Sequence, residues 1–232
     1  MKSIYNMKNF TLMILCAGFG SRMLNLTRST PKPLLKYKNK VLLKNTIDFF
    51  TNIGCDEILI NTHYLHNKIK KYLDKNFKKY PIQIIYEKKI LGTGGGVKNI
   101  FNYTNRKKIC VVNSDIFWTK KNKSHIKYFL GNYQDISHCK MLLSKDINFL
   151  GLKKENGDFN LKKNVVTNWN NKNEKLYYSG LQIVSKNIFH KRKKIFPMNE
   201  IWKKLIKNNQ IKGYVIPSKI RHIGDKKSIL EN

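Results

Sequence analysis

Short apolar runs alternate with segments of helical periodicity through the first 145 residues of the chain. This alternation is typical of βαβ units, in which helices connect and cover the parallel strands of a sheet. The pattern predicts strands at residues 11–16, 57–61, 82–86 and 108–113, and helices near 43–53, 65–77, 97–101 and 126–130. Beyond residue 145 it predicts shorter strands at 159–161, 165–169, 178–184 and 213–216, and a helix near 198–206.

The chain shows no repeat of fixed period and no low-complexity linker. Its 232 residues, 41% of them apolar, therefore predict one α/β domain with a sizeable core. We expect residues 1–9 to be an N-terminal extension. Residues from about 10 to 118 are expected to form a regular half, and residues from about 119 to 232 a more irregular half.

The net charge of +32 would by itself suggest a nucleic-acid or anionic-membrane partner. The 46 basic residues comprise 41 lysines and only 5 arginines, and the lysines are spread from Lys2 to Lys227. Arginine is the better reader of phosphates and bases. The excess of lysine is therefore best explained by compositional drift of the genome, with the lysines on a solvated surface. We expect no specific nucleic-acid partner, and a polyanion partner is the alternative.

Four cysteines, Cys16, Cys55, Cys110 and Cys139, lie in or beside apolar runs without CxxC spacing. They are typical of reduced core residues in a cytoplasmic protein. No apolar stretch approaches the roughly 18 to 20 residues that cross a bilayer. The first apolar run ends in glycines and an arginine, not in a cleavage site. We therefore expect a cytoplasmic protein without membrane association.

The most informative segment, Leu-Cys-Ala-Gly-Phe-Gly-Ser-Arg at residues 15–22, follows the first predicted strand. Glycines there let backbone N–H groups approach phosphate oxygens, and open α/β sheets bind ligands at this edge. The alternative is that these glycines serve only a tight strand-to-helix turn.

A second motif follows nearby, where Pro31 and Pro33 constrain the backbone around Lys32. A cation fixed there would stabilise a transferring phosphoryl group. The alternative is that the two prolines only shape a loop around one of many lysines.

Two further segments contain candidate ligand-binding residues. Gly94, Gly95 and Gly96 predict a surface on which a nucleobase or phosphate rests, or else a flexible hinge. Asp115 ends the predicted strand at 108–113 and is suited to holding Mg²⁺, although it also fits a turn cap. His222 lies in an apolar frame typical of a core or turn histidine. The remaining histidines show no zinc-ligand spacing.

In this order, residues 15–22, 30–34, 93–96 and 113–115 resemble the sugar-1-phosphate nucleotidyltransferases. The family signature is Leu-Ala-Ala-Gly-x-Gly-x-Arg followed by Pro-Lys-Pro, and only its first Ala differs, as Cys16. Residues 61–65 and 178–180 extend the resemblance over nearly the whole chain. It implies a glycosyltransferase-A-like, Rossmann-type three-layer αβα sandwich with a mainly parallel mixed sheet. The first half of the chain would bind nucleotide and the second half sugar phosphate.

The resemblance also implies an activity. Such enzymes transfer a nucleoside monophosphate from an NTP to a sugar 1-phosphate with Mg²⁺ and release pyrophosphate. The Thr-Gly-Gly-Gly segment and the compact length are most similar to N-acetylmuramate-1-phosphate uridylyltransferases of peptidoglycan recycling. We therefore expect UTP and N-acetylmuramate 1-phosphate as substrates of a monomer or small homo-oligomer. Mannose-1-phosphate guanylyltransferase activity and a non-catalytic sugar-nucleotide sensor are the alternatives.

The resemblance assigns catalytic roles to Arg22, Lys32 and Asp115, and metal-binding roles to Asp115 and His222. It assigns nucleotide contacts to Leu15, Ala17, Gly18, Gly20, Ser21, Asn61, Gly95 and Gly96, and sugar contacts to Ser179 and Gly180. Three departures stand out. Ser114 replaces the glycine that usually precedes the metal aspartate, His222 replaces a second metal aspartate, and residues 167–172 lack the Glu-Lys-Pro lysine that binds sugar phosphate in thymidylyltransferases.

Overall fold

A computed structural model describes residues 9–131, 133–152 and 154–230. Its strands are β1 Phe10–Cys16, β2 Lys36–Tyr37, β3 Lys40–Val41, β4 Cys55–Thr62, β5 Ile82–Tyr86, β6 Lys108–Asn113, β7 Ile116–Phe117, β8 Cys139–Lys145, β9 Phe149–Leu150, β10 Phe159–Lys162, β11 Val165–Asn168, β12 Leu176–Ser185, β13 Ile211–Ile216 and β14 Ile220–His222. Its α-helices are α1 Leu24–Thr27, α2 Leu42–Thr51, α3 His66–Asn76, α4 Gly92–Ile100, α5 Lys123–Leu130, α6 Asn199–Lys207 and α7 Lys226–Leu230. The expected N-terminal extension lies, except for Asn9, outside the described residues.

Within the described residues, one mixed sheet has the strand order β10-β11-β13-β8-β12-β6-β1-β4-β5. The strands of the first half, β1, β4, β5 and β6, are all parallel. The second half adds β12 antiparallel to both β6 and β8, while β13 runs parallel to β8. The regular half of the chain therefore forms the parallel part of the sheet, and the irregular half supplies its antiparallel pairs.

Helices cover both faces of this sheet. In β1, Leu12 and Ile14 pack in the same core cluster as residues of α2, α3 and α5. Met13 points to the other face, where it shares a cluster with residues of α4 and α6. A sheet buried on both faces needs apolar side chains at successive positions, which explains the continuous apolar run of β1. The predicted three-layer α/β sandwich is confirmed.

The glycine run at residues 94–96 lies inside a helix, not at an exposed ligand surface or hinge. Helix α4 begins at Gly92, five residues before the predicted start. A Cβ on Gly94 would lie 2.3 Å from the Phe196 ring, and one on Gly95 would lie 2.3 Å from the carbonyl oxygen of Lys194. These glycines therefore let α4 pack directly against residues 194–198. Periodicity missed the early start because glycine carries no apolar signal.

Two further elements differ from the predicted pattern. The strand β8 lies centrally in the sheet, yet no strand was predicted there. The segment around His222, which was expected to follow the last strand, is itself the short strand β14 and pairs with β7 and β9. Both segments form strands because they pair with strands that are distant in sequence, and a local pattern does not reveal such pairing.

The cysteines match the prediction of core residues. Cys16, Cys110 and Cys139 are buried, Cys55 is half-buried, and all four are free. Among residues 9–230, as far as the structure describes them, no helix combines the length and apolar character needed to span a membrane.

The packing of α4 predicts that Gly95→Ala destabilises the protein. Alanine in a helix would by itself add up to about 1 kcal/mol of stability relative to glycine. The contact with the Lys194 carbonyl should instead cost about 1–3 kcal/mol, which lowers the melting temperature by several degrees. Gly18→Ala is the matched control for thermal denaturation, because no atom lies within 4 Å of its Cβ position. A Gly95→Ala protein that melts at or above the wild-type temperature would refute this packing account.

Candidate functional site

β1 and β6 are neighbouring parallel strands at the centre of the sheet, and the direction in which the chain adds strands reverses between them. β4 and β5 continue the sheet on one side of β1, whereas β6 lies on its other side. Such a reversal leaves a crevice beyond the strand ends, where open α/β sheets bind ligands. The register pairs Leu15 with Asn113 at this edge, so the segments that follow the two strands border one crevice.

A cavity of about 360 Å³ occupies this crevice. It is lined by most of the predicted site residues, namely Leu15, Ala17, Gly18, Gly20, Ser21, Arg22, Lys32, Asn61 and Asp115. Its other lining residues are Cys16, Pro33, Glu87, Ile90, Gly92, Thr93, Asn113, Ser114 and Gly224. The glycine turn, the proline-flanked lysine and the strand-terminal carboxylate therefore meet in one place.

Gly20 provides the left-handed step in the turn after β1, with φ at +67°. A Cβ there would lie 2.9 Å from Thr27 Cγ2 and 3.3 Å from Lys32 Cβ, so a side chain is excluded by both conformation and space. Thr27 Oγ1 donates to the Gly20 carbonyl at 3.1 Å. In contrast, the Cβ position of Gly18 is open, which leaves the backbone accessible from the cavity.

Lys32 begins a short 3₁₀ helix, Lys32–Leu34, directly after the extended Pro31. Its Nζ donates to Asp115 Oδ2 at 2.7 Å, and His222 Nε2 lies 3.3 Å from the same oxygen. Burial alone would raise the pKa of Asp115, but the hydrogen bond from His222 and the charge of Lys32 outweigh burial and lower the pKa below its usual value. Asp115 is therefore an anion at neutral pH.

The pairing of two short strands positions His222. β14 runs antiparallel to β7 and places His222 opposite Ile116, while the backbone N–H of Ile223 donates to the Asp115 carbonyl at 2.8 Å. His222 thus belongs to the predicted site in space, and its side chain is only 12% exposed. In the described part of the chain, its Nδ1 has no hydrogen-bond partner.

The donor atoms around Asp115 fit a magnesium ion. Asp115 Oδ1 is buried without a hydrogen-bond partner among the described residues, so one carboxylate oxygen is uncommitted. Mg²⁺ usually takes one or two protein carboxylates and completes its shell with water and substrate phosphates. No group of three or more His, Cys, Asp and Glu side chains able to hold a metal occurs in the described ranges. Imidazole binds softer metals better than Mg²⁺. Metal binding by His222 stays a prediction.

Glu87 is the functional candidate that the sequence analysis missed. It is 3% exposed and lines the first cavity. Its Oε1 accepts from Asn61 Nδ2 at 2.8 Å and its Oε2 accepts from the Leu91 N–H at 3.0 Å, while Asn61 Oδ1 accepts from the Cys16 N–H at 3.1 Å. This network joins the ends of β1, β4 and β5. Glu87 directly follows β5, so the argument that selected Asp115 would also have found it.

Gly96 serves this network indirectly. A Cβ there would lie 2.9 Å from Asn61 Nδ2 and 3.0 Å from Glu87 Oε1. Gly96 and Gly95 are buried, and neither lines the cavity. Protein atoms occupy the space beside both glycines, so their predicted nucleotide contacts have no support in the cavity lining.

A second cavity of about 450 Å³ adjoins the first, and the two share Arg22 and Asn113. Gly180 lines the second cavity, as does His222. Ser179, predicted as a sugar contact, does not line either cavity: it is fully buried, and its hydroxyl donates to the Leu142 carbonyl at 2.7 Å. β12 is irregular here, with a register shift between Tyr178 and Gln182 and a φ of +84° at Gly180, and Ser179 bonds to the backbone of the neighbouring strand β8.

The glycine turn and the Lys32–Asp115 pair, which the resemblance selected, thus meet at two adjoining cavities. The model of the nucleotidyl transferase family matches residues 11–146, which is more than half of the chain. The chain therefore belongs to the nucleotidyl transferase family, and its resemblance to the sugar-1-phosphate branch is confirmed.

Individual relatives agree with this assignment. The chain is 29% identical over 103 residues to D-glycero-alpha-D-manno-heptose 1-phosphate guanylyltransferase of Aneurinibacillus thermoaerophilus, covering 44% of this chain and 45% of the relative. It is 25% identical over 222 residues to N-acetylmuramate alpha-1-phosphate uridylyltransferase of Caulobacter vibrioides, covering 92% and 91%. HddC of Yersinia pseudotuberculosis has the same fold, with a TM-score of 0.75, 22% identity, and coverage of 96% and 97%. The chain spans less than half of the length of the first guanylyltransferase relatives that it matches.

The Glu87 network predicts a selective loss of stability in Glu87→Gln. Two buried N–H donors each use one carboxylate oxygen, and a glutamine side chain offers only one oxygen. The donor left without an acceptor should cost about 1–3 kcal/mol, which lowers the melting temperature by several degrees. Glu174→Gln is the control, because the Glu174 side chain is 54% exposed and pairs with Lys145 on the surface. Equal melting temperatures for the two variants would contradict the structural role of Glu87.

Proposed function

We propose that this protein transfers UMP from UTP to N-acetylmuramate 1-phosphate, forming UDP-N-acetylmuramate and pyrophosphate in peptidoglycan recycling. The strongest support is the similarity to the Caulobacter uridylyltransferase, because it extends along almost the whole of both chains. The similarity to the heptose guanylyltransferase covers less than half of each chain. Most residues of the second cavity lie beyond residue 148 and therefore outside the matched family region.

The two cavities support a division of labour between the halves of the chain. Apart from Gly224, the first cavity is lined by residues up to Asp115 and would hold the nucleotide. The second is lined mainly by later residues and would hold the sugar. Arg22 and Asn113 line both cavities. The reacting phosphates would therefore meet at Arg22, beside Asp115.

The reaction asks the protein for positioning and charge neutralisation, not for a covalent nucleophile. An oxygen of the sugar 1-phosphate attacks the α-phosphorus of UTP in line, and the bond to pyrophosphate breaks with its electron pair on the leaving group. Backbone amides of the turn around Gly18, together with Arg22 and Lys32, bind the triphosphate oxygens. Because the Pro-flanked backbone and Asp115 hold Lys32 in place, its charge acts without reorganisation.

Asp115 would hold the proposed Mg²⁺. Bound there, the ion would neutralise part of the phosphate charge. His222 contacts Asp115 and so restrains the orientation of the carboxylate. We assign the reaction to the cytoplasm, because four free cysteines suit a reducing compartment.

Guanylyl transfer is the second candidate. The heptose-1-phosphate guanylyltransferase relatives support it with their higher identity in the aligned part. HddC, which has the same fold with a TM-score of 0.73, has been solved in complex with GMP-PN, which also favours this candidate.

A panel of substrates tests the proposed function. Purified protein is incubated with Mg²⁺, one of UTP, GTP, CTP or dTTP, and one of N-acetylmuramate, mannose or heptose 1-phosphate, and pyrophosphate is measured. We expect release with UTP and N-acetylmuramate 1-phosphate. Release only with GTP would support the guanylyltransferase alternative. Nucleotide binding without release in any pair would support a non-catalytic sensor.

The mechanism predicts that Lys32→Ala lowers kcat/KM by about 10²-fold or more, as for the loss of a preorganised charge beside a transferring group. Lys36→Ala is the matched control, because Lys36 is an exposed lysine in β2 that does not line either cavity. Steady-state pyrophosphate release measures both variants. A Lys32 variant as active as its control would contradict the assigned role.

A further inference from the structure

The second cavity has a phosphate end and a remote end. Its phosphate end is the part shared with the first cavity, at Arg22 and Asn113. Gly180 belongs to this end, because its Cβ position lies 3.3 Å from Asn113 Cβ. Tyr178 lies two residues before Gly180 on β12 and lines the cavity together with Trp202. These two residues mark its remote end, away from Arg22 and Asn113.

An aromatic wall borders the remote end. The rings of Trp202 and Tyr178 lie 4.8 Å apart, and Phe159 packs edge-on against Trp202 at 5.9 Å. The Trp202 indole N–H donates to Gln182 Oε1 at 3.0 Å, which fixes the orientation of the ring. A fixed, half-buried indole provides a flat surface for the C–H face of a sugar.

The charges at the remote end are unbalanced. Among the described residues that line this cavity, Asp158 is the only one with an acidic side chain. Both of its carboxylate oxygens already accept hydrogen bonds. Its Oδ1 accepts from Lys154 Nζ at 2.7 Å, and its Oδ2 accepts from the backbone N–H of Tyr178 at 3.1 Å. Lys203, the neighbour of Trp202 on α6, also lines the cavity and makes no ion pair within the described residues. It is therefore the surplus cation beside the aromatic wall.

We propose that Lys203 recognises a carboxylate on the sugar, on the side of the ring remote from the 1-phosphate. The inference rests on the proposed function and names its acceptor class: a sugar 1-phosphate that carries a carboxylate-bearing substituent. Lys203 is exposed and solvated in the free protein, so its charge is available to a carboxylate and discriminates little among neutral sugars. The lactyl group of N-acetylmuramate supplies such a carboxylate, whereas N-acetylglucosamine 1-phosphate lacks only that group.

Calorimetric binding of these two sugar phosphates tests the inference, with Mg²⁺ and α,β-imido-UTP present so that no transfer occurs. We expect the wild type to bind N-acetylmuramate 1-phosphate about tenfold more tightly than N-acetylglucosamine 1-phosphate, as for a hydrogen bond between charged groups. Lys203→Gln should abolish this preference by weakening only the first ligand. Lys204→Gln is the control, because this adjacent exposed lysine does not line the cavity.

Equal wild-type affinities, no binding of either sugar phosphate, or an unchanged preference in Lys203→Gln would overturn the inference. With UTP in place of the analogue, Lys203→Gln should raise KM for N-acetylmuramate 1-phosphate and leave kcat within about twofold, because Lys203 lies away from the reacting atoms. A binding preference without pyrophosphate release would uphold the inference and contradict the proposed function. Release without a preference would do the reverse.

Discussion

The site depends on keeping one carboxylate ionised where β6 ends. Asp115 is only 16% exposed, and removing a carboxylate from water costs several kcal/mol unless cations and hydrogen bonds compensate for it. Lys32 and His222 provide that compensation at a single oxygen, Oδ2, and leave Oδ1 uncommitted. The two partners come from opposite ends of the chain. Lys32 and His222 reach Asp115 only if the Pro-Lys-Pro segment, the carboxyl end of β6 and the paired strands β7 and β14 are all correctly placed.

This constraint explains why glycine motifs and short strands matter together. Gly20 leaves no room for a side chain beside Lys32 and Thr27, so the glycine turn lies close against Lys32. The glycines of α4 serve packing instead, because they bring the helix against residues 194–198 and leave room for the Asn61–Glu87 pair. The glycine turn after β1 is therefore open to a ligand, whereas the glycines of α4 are packed against other protein atoms.

Much of the nucleotide half could be predicted from the sequence. The central parallel strands are buried on both faces, so their apolar runs are unmistakable, and the motifs lie at their carboxyl ends. Lys32 and Asp115 were paired correctly with one cleft because they fall within such motifs. The second cavity was less accessible to prediction. Tyr178, Trp202 and Lys203 come together only through β12 and α6, and no local pattern marks that contact.

Ser179 and His222 show the limit of residue-by-residue transfer from a resemblance. The hydroxyl of Ser179 is bonded to the backbone of β8, although its neighbour Gly180 borders the cavity. His222 stands where a carboxylate was expected, yet it contacts Asp115 directly. In both cases the local geometry, and not the sequence position alone, determines what the side chain can do.

Hydrogen–deuterium exchange with and without Mg²⁺ and UTP tests most directly whether the triphosphate binds at the meeting point of β1 and β6. We expect slower exchange in peptides that contain residues 15–22 and 113–115, and unchanged exchange in peptides from residues 44–52, which line a separate surface groove. Protection confined to that groove, or unaltered exchange at residues 15–22 under saturating nucleotide, would contradict it.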